Sequence, residues 1–132
     1  MIEPRSVEIR GEPDIVTARQ IARHVAKDIG FSMTDQIKIA TGVSELTRNI
    51  VRYTEGGRVD VKEIVRDGKR GIEIVCVDKG QGISDMELAM KDGYTTSGGL
   101  GAGLPGTKRL MDEFEIASTV GVGTKVVCRK WL

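Results

Sequence analysis

Glu45, Asn49 and Arg52 follow one another at spacings of four and three residues, the interval at which side chains share one face of a helix. At roughly 100° per residue the three project within about 60° of one another. A carboxylate can take the proton of an attacking hydroxyl or orient a water. A carboxamide can ligate a metal ion or hydrogen-bond, and a guanidinium can hold a phosphate. Each alone is an ordinary exposed residue; together they have the chemistry of phosphoryl transfer. A second carboxylate, Asp78, ends an apolar run and is followed at once by Gly80 and Gly82. Those glycines let the backbone turn sharply and approach whatever Asp78 binds. Because a carboxylate accepts from an amino group, a purine such as adenine is a reasonable ligand.

Downstream, Gly98, Gly99, Gly101, Gly103 and Gly106 crowd a short stretch in which glycine weakens both helix and strand. Bare backbone N–H groups can converge on an anion there, and a helix starting directly afterwards adds its positive dipole end. Leu104 to Phe114, with Pro105 near its first turn, is the predicted helix. The expectation is a loop that closes over the phosphates of a nucleotide; a mobile surface loop with no ligand is the open alternative. Gly101 to Gly106 matches GxGxxG literally, but no strand precedes it and no βαβ unit follows. A P-loop fails as well, because Thr107-Lys108 stands where Lys-Ser/Thr is required.

Positioning these groups takes a sheet and helices. Val7 and Ile9 alternate with polar neighbours in a short edge strand over Ser6 to Arg10, ended by Gly11 and Pro13. Asp14 is the expected cap of a helix to Ile29 with Ile15, Ala18, Ile21, Ala22, Val25 and Ile29 as its apolar stripe, and Gly30 stops it. Its other side carries Arg19, Arg23, His24 and Lys27, a solvated face or a partner surface. A second helix from Ser32 or Thr34 to Tyr53 turns Ile39, Val43, Leu46, Ile50 and Tyr53 to the core and carries the Glu45 row beside that seam. Arg58 to Val65 and Gly71 to Val77 flank Asp67-Gly68-Lys69 as a hairpin, the second strand apolar on both faces and therefore central. Ser84 caps a predicted short helix to Lys91, and Glu115 to Ser118 and Lys125 to Trp131 are the last strands. The result is a two-layer α/β sandwich, helices on one face of a mixed, largely antiparallel sheet. Trp131 either anchors a partner or closes over the core.

The 132 residues suit one domain spanning 1–132. Lys plus Arg number 20 against 19 Asp plus Glu, so no charge field points to nucleic acid or to a membrane surface. No apolar run approaches a membrane span, and the opening MIEPRSVEIR lacks the basic-then-apolar order of a signal peptide. The expected location is cytoplasmic. Cys76 and Cys128 lie inside strand-like apolar runs and read as reduced core residues, and a lone histidine, His24, makes no metal cluster.

The motifs also resemble those of a known family. Glu45-Leu46-Thr47-Arg48-Asn49 is similar to the N box of the GHKL ATPases and Asp78-Lys79-Gly80-Gln81-Gly82 to their DxGxG box. Gly99-Leu100-Gly101-Ala102-Gly103 is similar to their second glycine box, and Gly123-Thr124 to the last. The order matches over nearly the whole chain, and the family's Bergerat fold is the sandwich just described. Within the family the length, the ELTRN box and the segment from Asp92 to Phe114 most resemble the switch kinases of stressosomes, relatives of the anti-sigma factor serine kinases. The resemblance implies that Asn49 holds the Mg²⁺ on ATP and that Glu45 takes the proton of a serine or threonine hydroxyl. It implies that Asp78, with Gly80 and Gly82, receives the adenine amino group and that Thr124 helps there. Arg52 and Tyr53 stand where related histidine kinases carry a phosphate-reaching lysine and an aromatic along the nucleotide. Gly99, Leu100, Gly101, Ala102 and Gly103, leading to Leu104, correspond to the lid. Implied further are a STAS-domain antagonist or scaffold protein of a stressosome as substrate and a PP2C-type phosphatase as a downstream partner. An ATP-regulated anti-sigma factor or binding module with slight catalysis is the alternative. Within these 132 residues no histidine-bearing helix pair precedes the ATP site and no extra domain is present, so the expectation is neither a complete sensor histidine kinase nor a gyrase-like or chaperone-like clamp.

Overall fold

Val59 and Val61 on one strand and Ile72, Ile74 and Cys76 on the next bury one face of a hairpin, because a period of two sends alternate side chains to the same side. The hairpin turns through Asp67 and Gly68, both at positive φ (53° and 80°), the conformation whose twist matches that of the flanking strands. The computed structural model describes residues 2–80 and 104–132. These form β1 (Arg5–Ile9), α1 (Glu12–Ile29), α2 (Met33–Tyr53), β2 (Gly57–Arg66), β3 (Lys69–Asp78), α3 (Leu104–Leu110), β4 (Glu113–Thr119) and β5 (Gly123–Trp131). The predicted short helix from Ser84 to Lys91, Gly82, and the run Gly99, Leu100, Gly101, Ala102 and Gly103 lie outside the described residues.

The sheet order is β1-β2-β3-β5-β4, with β3 central as its doubly apolar pattern requires. Every pairing among the described strands is antiparallel, which narrows the expected mixed sheet. The reason lies in the first connection. Two helices, not one, link β1 to β2, and the second pass brings the chain back for a strand of reversed direction. Both helices pack on one face, burying Ala18, Ala22 and Ala26 of α1 and Ile39, Val43 and Ile50 of α2 against Ile9, Val59, Ile72 and Ile74. Cys76 and Cys128 are free thiols buried in this core. Burial pushes the Cys76 thiol well up and that of Cys128 up to about 12, as desolvation disfavours a thiolate.

Local chemistry moves two expected boundaries. Asp14 does not cap α1: Gly11 is the N-cap, Pro13 sits in the first turn, and Asp14 is the third helical residue. Its carboxylate reaches back to accept from the backbone N–H of Arg10 (2.8 Å) and Gly11 (3.1 Å), satisfying donors that the helix start leaves open. Proline's fixed φ suits that first turn, so it begins the helix where the sequence reading had it ending a strand. α3 stops at Leu110 instead of Phe114. Glu113 and Phe114 are drawn into β4 opposite Arg129 and Cys128, with the Asp112 N–H already bonded to the Arg129 carbonyl (3.0 Å). Ser32 does cap α2, accepting from the Asp35 N–H, and Gly30 ends α1. Trp131 lies over Gly71, where a Cβ would meet the indole at 2.7 Å. It donates to Glu113 (2.7 Å) and stacks under Arg66, 4.8 Å from the ring centre. Among the described residues no helix is long and apolar enough to cross a membrane.

Candidate functional site

Asp78 is the last residue of β3 and shares the pleat face of Cys76, the side covered by the helices. Its Oδ1 accepts from the Gly80 N–H (2.9 Å) and from the Thr124 N–H at the start of β5 (3.2 Å). The side chain is half-buried. Burial pushes its carboxyl above the ordinary value, and the two backbone donors pull against that without cancelling it. The strand ends close tightly around it. A Cβ on Gly123, whose φ is +148°, would fall 2.1 Å from the Asp78 carbonyl oxygen, so only glycine lets β5 begin there. On the other side a Cβ on Gly80 would meet Thr54 Cγ2 at 2.8 Å. Thr54, the C-cap of α2, donates to the Ile50 carbonyl (2.7 Å) and accepts from the Gly56 N–H (3.1 Å). The Lys79 N–H donates to the Gly56 carbonyl (3.2 Å), so the segment after α2 and the turn after β3 are tied to each other.

Above Asp78 opens a cleft lined by Leu46, Asn49 and Ile50 of α2, Cys76 and Asp78 of β3, Leu104 of α3, and Thr124 and Val126 of β5. Its walls are largely aliphatic, and they include the Asp78 carboxylate and the Asn49 carboxamide. Apolar faces with an acceptor among them suit a flat base bearing an amino group. The Thr124 hydroxyl is paired with Ser118 Oγ at 2.9 Å.

Of the residues singled out in the sequence, the cleft brings together Asn49, Asp78, Leu104 and Thr124, and Gly80 backs it from outside. Glu45, Arg52 and Tyr53 do not line it. Glu45 lies one turn before Asn49 on α2, and its Oε1 accepts from Arg48 Nη1 at 2.6 Å, both side chains about a third exposed (39% and 32%). Arg52 is exposed and Tyr53 half-buried in the last turn of α2. Sequence reasoning missed Arg48 as the partner of Glu45, Thr54 behind Gly80, and Ser118 behind Thr124. Arg48 was legible from its three-residue spacing to Glu45; the other two are joined to the site only by folding. It also read Cys76 purely as core, although that residue forms part of the cleft. Among the described residues no trio of His, Cys, Asp or Glu could hold a metal ion by itself. Mg²⁺ carried on phosphates asks for only one or two protein ligands, which an oxygen at Asn49 suits.

Residues 10–130 match the histidine kinase-like ATPase domain. The chain belongs to that family. It is 49% identical over 132 residues to the serine/threonine-protein kinase RsbT of Bacillus subtilis (strain 168), covering 100% of this chain and 99% of the relative. It is 31% identical over 121 residues to the anti-sigma F factor of Caldanaerobacter subterraneus subsp. tengcongensis, covering 87% of this chain and 83% of that protein. Among solved structures the mycobacterial sensor histidine kinase MprB superposes with a TM-score of 0.58 at 17% identity, over 99% of this chain and 97% of that one; this likeness concerns the fold. The family match bears out the expected GHKL-type fold and ATP-binding character. The full-length match bears out the expected enzyme class, an ATP-dependent serine/threonine protein kinase.

Proposed function

We propose that this chain transfers phosphate from Mg-ATP to a serine or threonine of a STAS-domain antagonist or scaffold protein in a stressosome-type partner switch. In this reading, release from that partner frees it to engage a PP2C-type phosphatase. The observation that carries the nucleotide part is the cleft that joins the Asp78 carboxylate and Asn49 to largely aliphatic walls. The near full-length similarity to a protein serine/threonine kinase supports the transfer.

When bound, Mg-ATP supplies the phosphoryl group and the cation that screens its charge. Asp78 and Thr124 select the base, Leu46, Ile50, Leu104 and Val126 exclude water from its faces, and Asn49 holds the metal ion with its carboxamide oxygen. Glu45, one turn along α2, takes the hydroxyl proton as the substrate oxygen bonds to phosphorus and the bond to the leaving ADP breaks. Its pairing with Arg48 keeps the carboxylate on the helix surface, partly exposed. Arg52, Tyr53, Gly80, Gly82 and the segment Gly99, Leu100, Gly101, Ala102 and Gly103 complete the nucleotide site in this reading. Most of the catalysis is then positioning and charge neutralisation.

Phosphate transfer from labelled Mg-ATP to a co-purified STAS-domain partner tests this. The native chain is expected to transfer, Glu45→Ala to bind ATP yet lose transfer by at least about 100-fold, and Asn49→Ala to lose Mg-dependent binding. Unchanged transfer in Glu45→Ala removes Glu45 from the base role. The similarity to anti-sigma F factors favours a second reading, an ATP-regulated binding module. Capture of a sigma subunit without phosphate transfer to any partner would favour it.

A further inference from the structure

We infer that Ser118 of β4 is a positioning residue for base selection, fixing the direction of the Thr124 hydroxyl so that it faces the cleft as an acceptor. The inference rests on the nucleotide reading of the cleft and adds to it a residue outside the cleft wall. Ser118 stands opposite Thr124 in the β4–β5 register. Its Oγ lies 2.9 Å from Thr124 Oγ1 and 3.3 Å from the Gly123 carbonyl oxygen. A serine hydroxyl has one proton and two lone pairs, and a carbonyl can only accept. Geometry alone lets the bond between the two hydroxyls run either way; with the Ser118 proton given to the Gly123 carbonyl, it runs from Thr124 to Ser118. The Thr124 proton is thereby directed away from the cleft, and the lone pairs of Oγ1 are left for a ligand.

The consequence is a matching pair of acceptors. Thr124 is buried and its backbone N–H already donates to Asp78 Oδ1, and Thr124 and Asp78 both line the cleft. Both then ask for a donor. An exocyclic amino group supplies one; a carbonyl at the same place on the base supplies another acceptor and is repelled by both. Thr124 with a freely rotating hydroxyl could turn its proton inward and tolerate that carbonyl. Ser118 thus acts on which purine is chosen, through Thr124, without touching the base. The tie to the Gly123 carbonyl serves the same end, because Gly123 is the residue that brings β5 against the Asp78 backbone.

Inosine triphosphate is the probe, since it differs from ATP by a carbonyl in place of the amino group and a ring N–H in place of a ring acceptor. Calorimetric titration of the full chain with Mg-ATP and with Mg-ITP, no protein substrate present, gives the ratio of the two affinities. Native chain is expected to prefer ATP. Ser118→Ala is expected to narrow the ratio roughly three- to tenfold, the change that one hydrogen bond's net strength allows, and Ser118→Thr to restore it. In a Thr124→Val background Ser118→Ala should leave the ratio where Thr124→Val put it. Equal weakening of both nucleotides in Ser118→Ala, or an unchanged ratio, overturns the inference, because a purely structural serine moves stability and both affinities together. If Ser118→Ala does not fold, Thr124→Val alone decides: a native-like ratio in that variant overturns the inference as well. A native chain that binds neither nucleotide would overturn the nucleotide reading itself, a result visible before any variant is made.

Discussion

Asp78 carries two demands that pull in different directions. Folding buries it, and burial raises its carboxyl above the ordinary value despite the N–H groups of Gly80 and Thr124. A raised acid holds its proton longer in the folded chain than in the unfolded one. Stability therefore falls as pH rises from the ordinary carboxylate value through the raised one, and above that window the ionised group is a standing cost. Binding an amino group is what makes that cost worthwhile. In Asp78→Asn the amide oxygen can still accept from both backbone donors, while the amide nitrogen presents a donor where an acceptor is needed. The expected outcome is an unchanged or raised melting temperature at pH 7 together with a loss of ATP affinity of about tenfold or more. Thermal melts beside nucleotide titration check both halves. A variant that melts lower and binds normally would show that the carboxylate serves the fold and not the ligand.

Glycines separate the scaffold from the site at the level of elements. Gly123 admits β5 against the end of β3, where a Cβ would stand 2.1 Å from a backbone oxygen that no side-chain motion can relieve. Gly123→Ala is accordingly expected to destabilise the chain by more than about 3 kcal/mol, read as a large fall in the denaturation midpoint. Gly106 lies within α3 and a Cβ there meets nothing within 4 Å. Gly106→Ala is expected to leave stability unchanged or raise it by up to about 1 kcal/mol, the helix propensity gained. Similar losses at both positions would overturn this separation. The hairpin, the helix seams and the position of Asp78 were legible because period and turn chemistry are local. The end of α3 was not, since pairing of Glu113 with Arg129 outcompetes helix continuation only after the sheet exists. Nor was Ser118, which reaches the cleft through strand register alone.

Across the whole molecule, carboxylates tie together segments far apart in the chain, and their titration sets how the fold meets acid. Glu63, buried on β2, accepts from the Ile2 N–H (2.9 Å) and from Arg70 Nε of β3 (2.5 Å). Glu113 of β4 accepts from Trp131 Nε1 and Arg66 Nη1, each at 2.7 Å, and from Arg129 Nη1 at 3.2 Å. The Ile2 N–H holds the Glu63 carboxyl below its ordinary value, with Arg70 adding to it, and the Trp131 indole does so for Glu113, with Arg66 and Arg129 adding. A depressed carboxyl contributes stability that is fully present above its unfolded value and is lost as pH falls through the lowered folded value. Asp78, raised by burial, has the opposite sign over its own window, so the acid limb is shaped by a few named groups and not by net charge, which is +1. Urea midpoints measured from pH 7 down to pH 3 are expected to fall steeply below the ordinary carboxylate range in the native chain. Glu63→Gln and Glu113→Gln should each begin lower at pH 7 and flatten the acid limb by up to about one proton. The two ties share no residue, so the double variant should show the sum of the two effects. A Glu63→Gln curve that runs parallel to the native one down to pH 3 would mean that this carboxylate does not titrate with unfolding, and the acid response would have to be sought elsewhere in the chain.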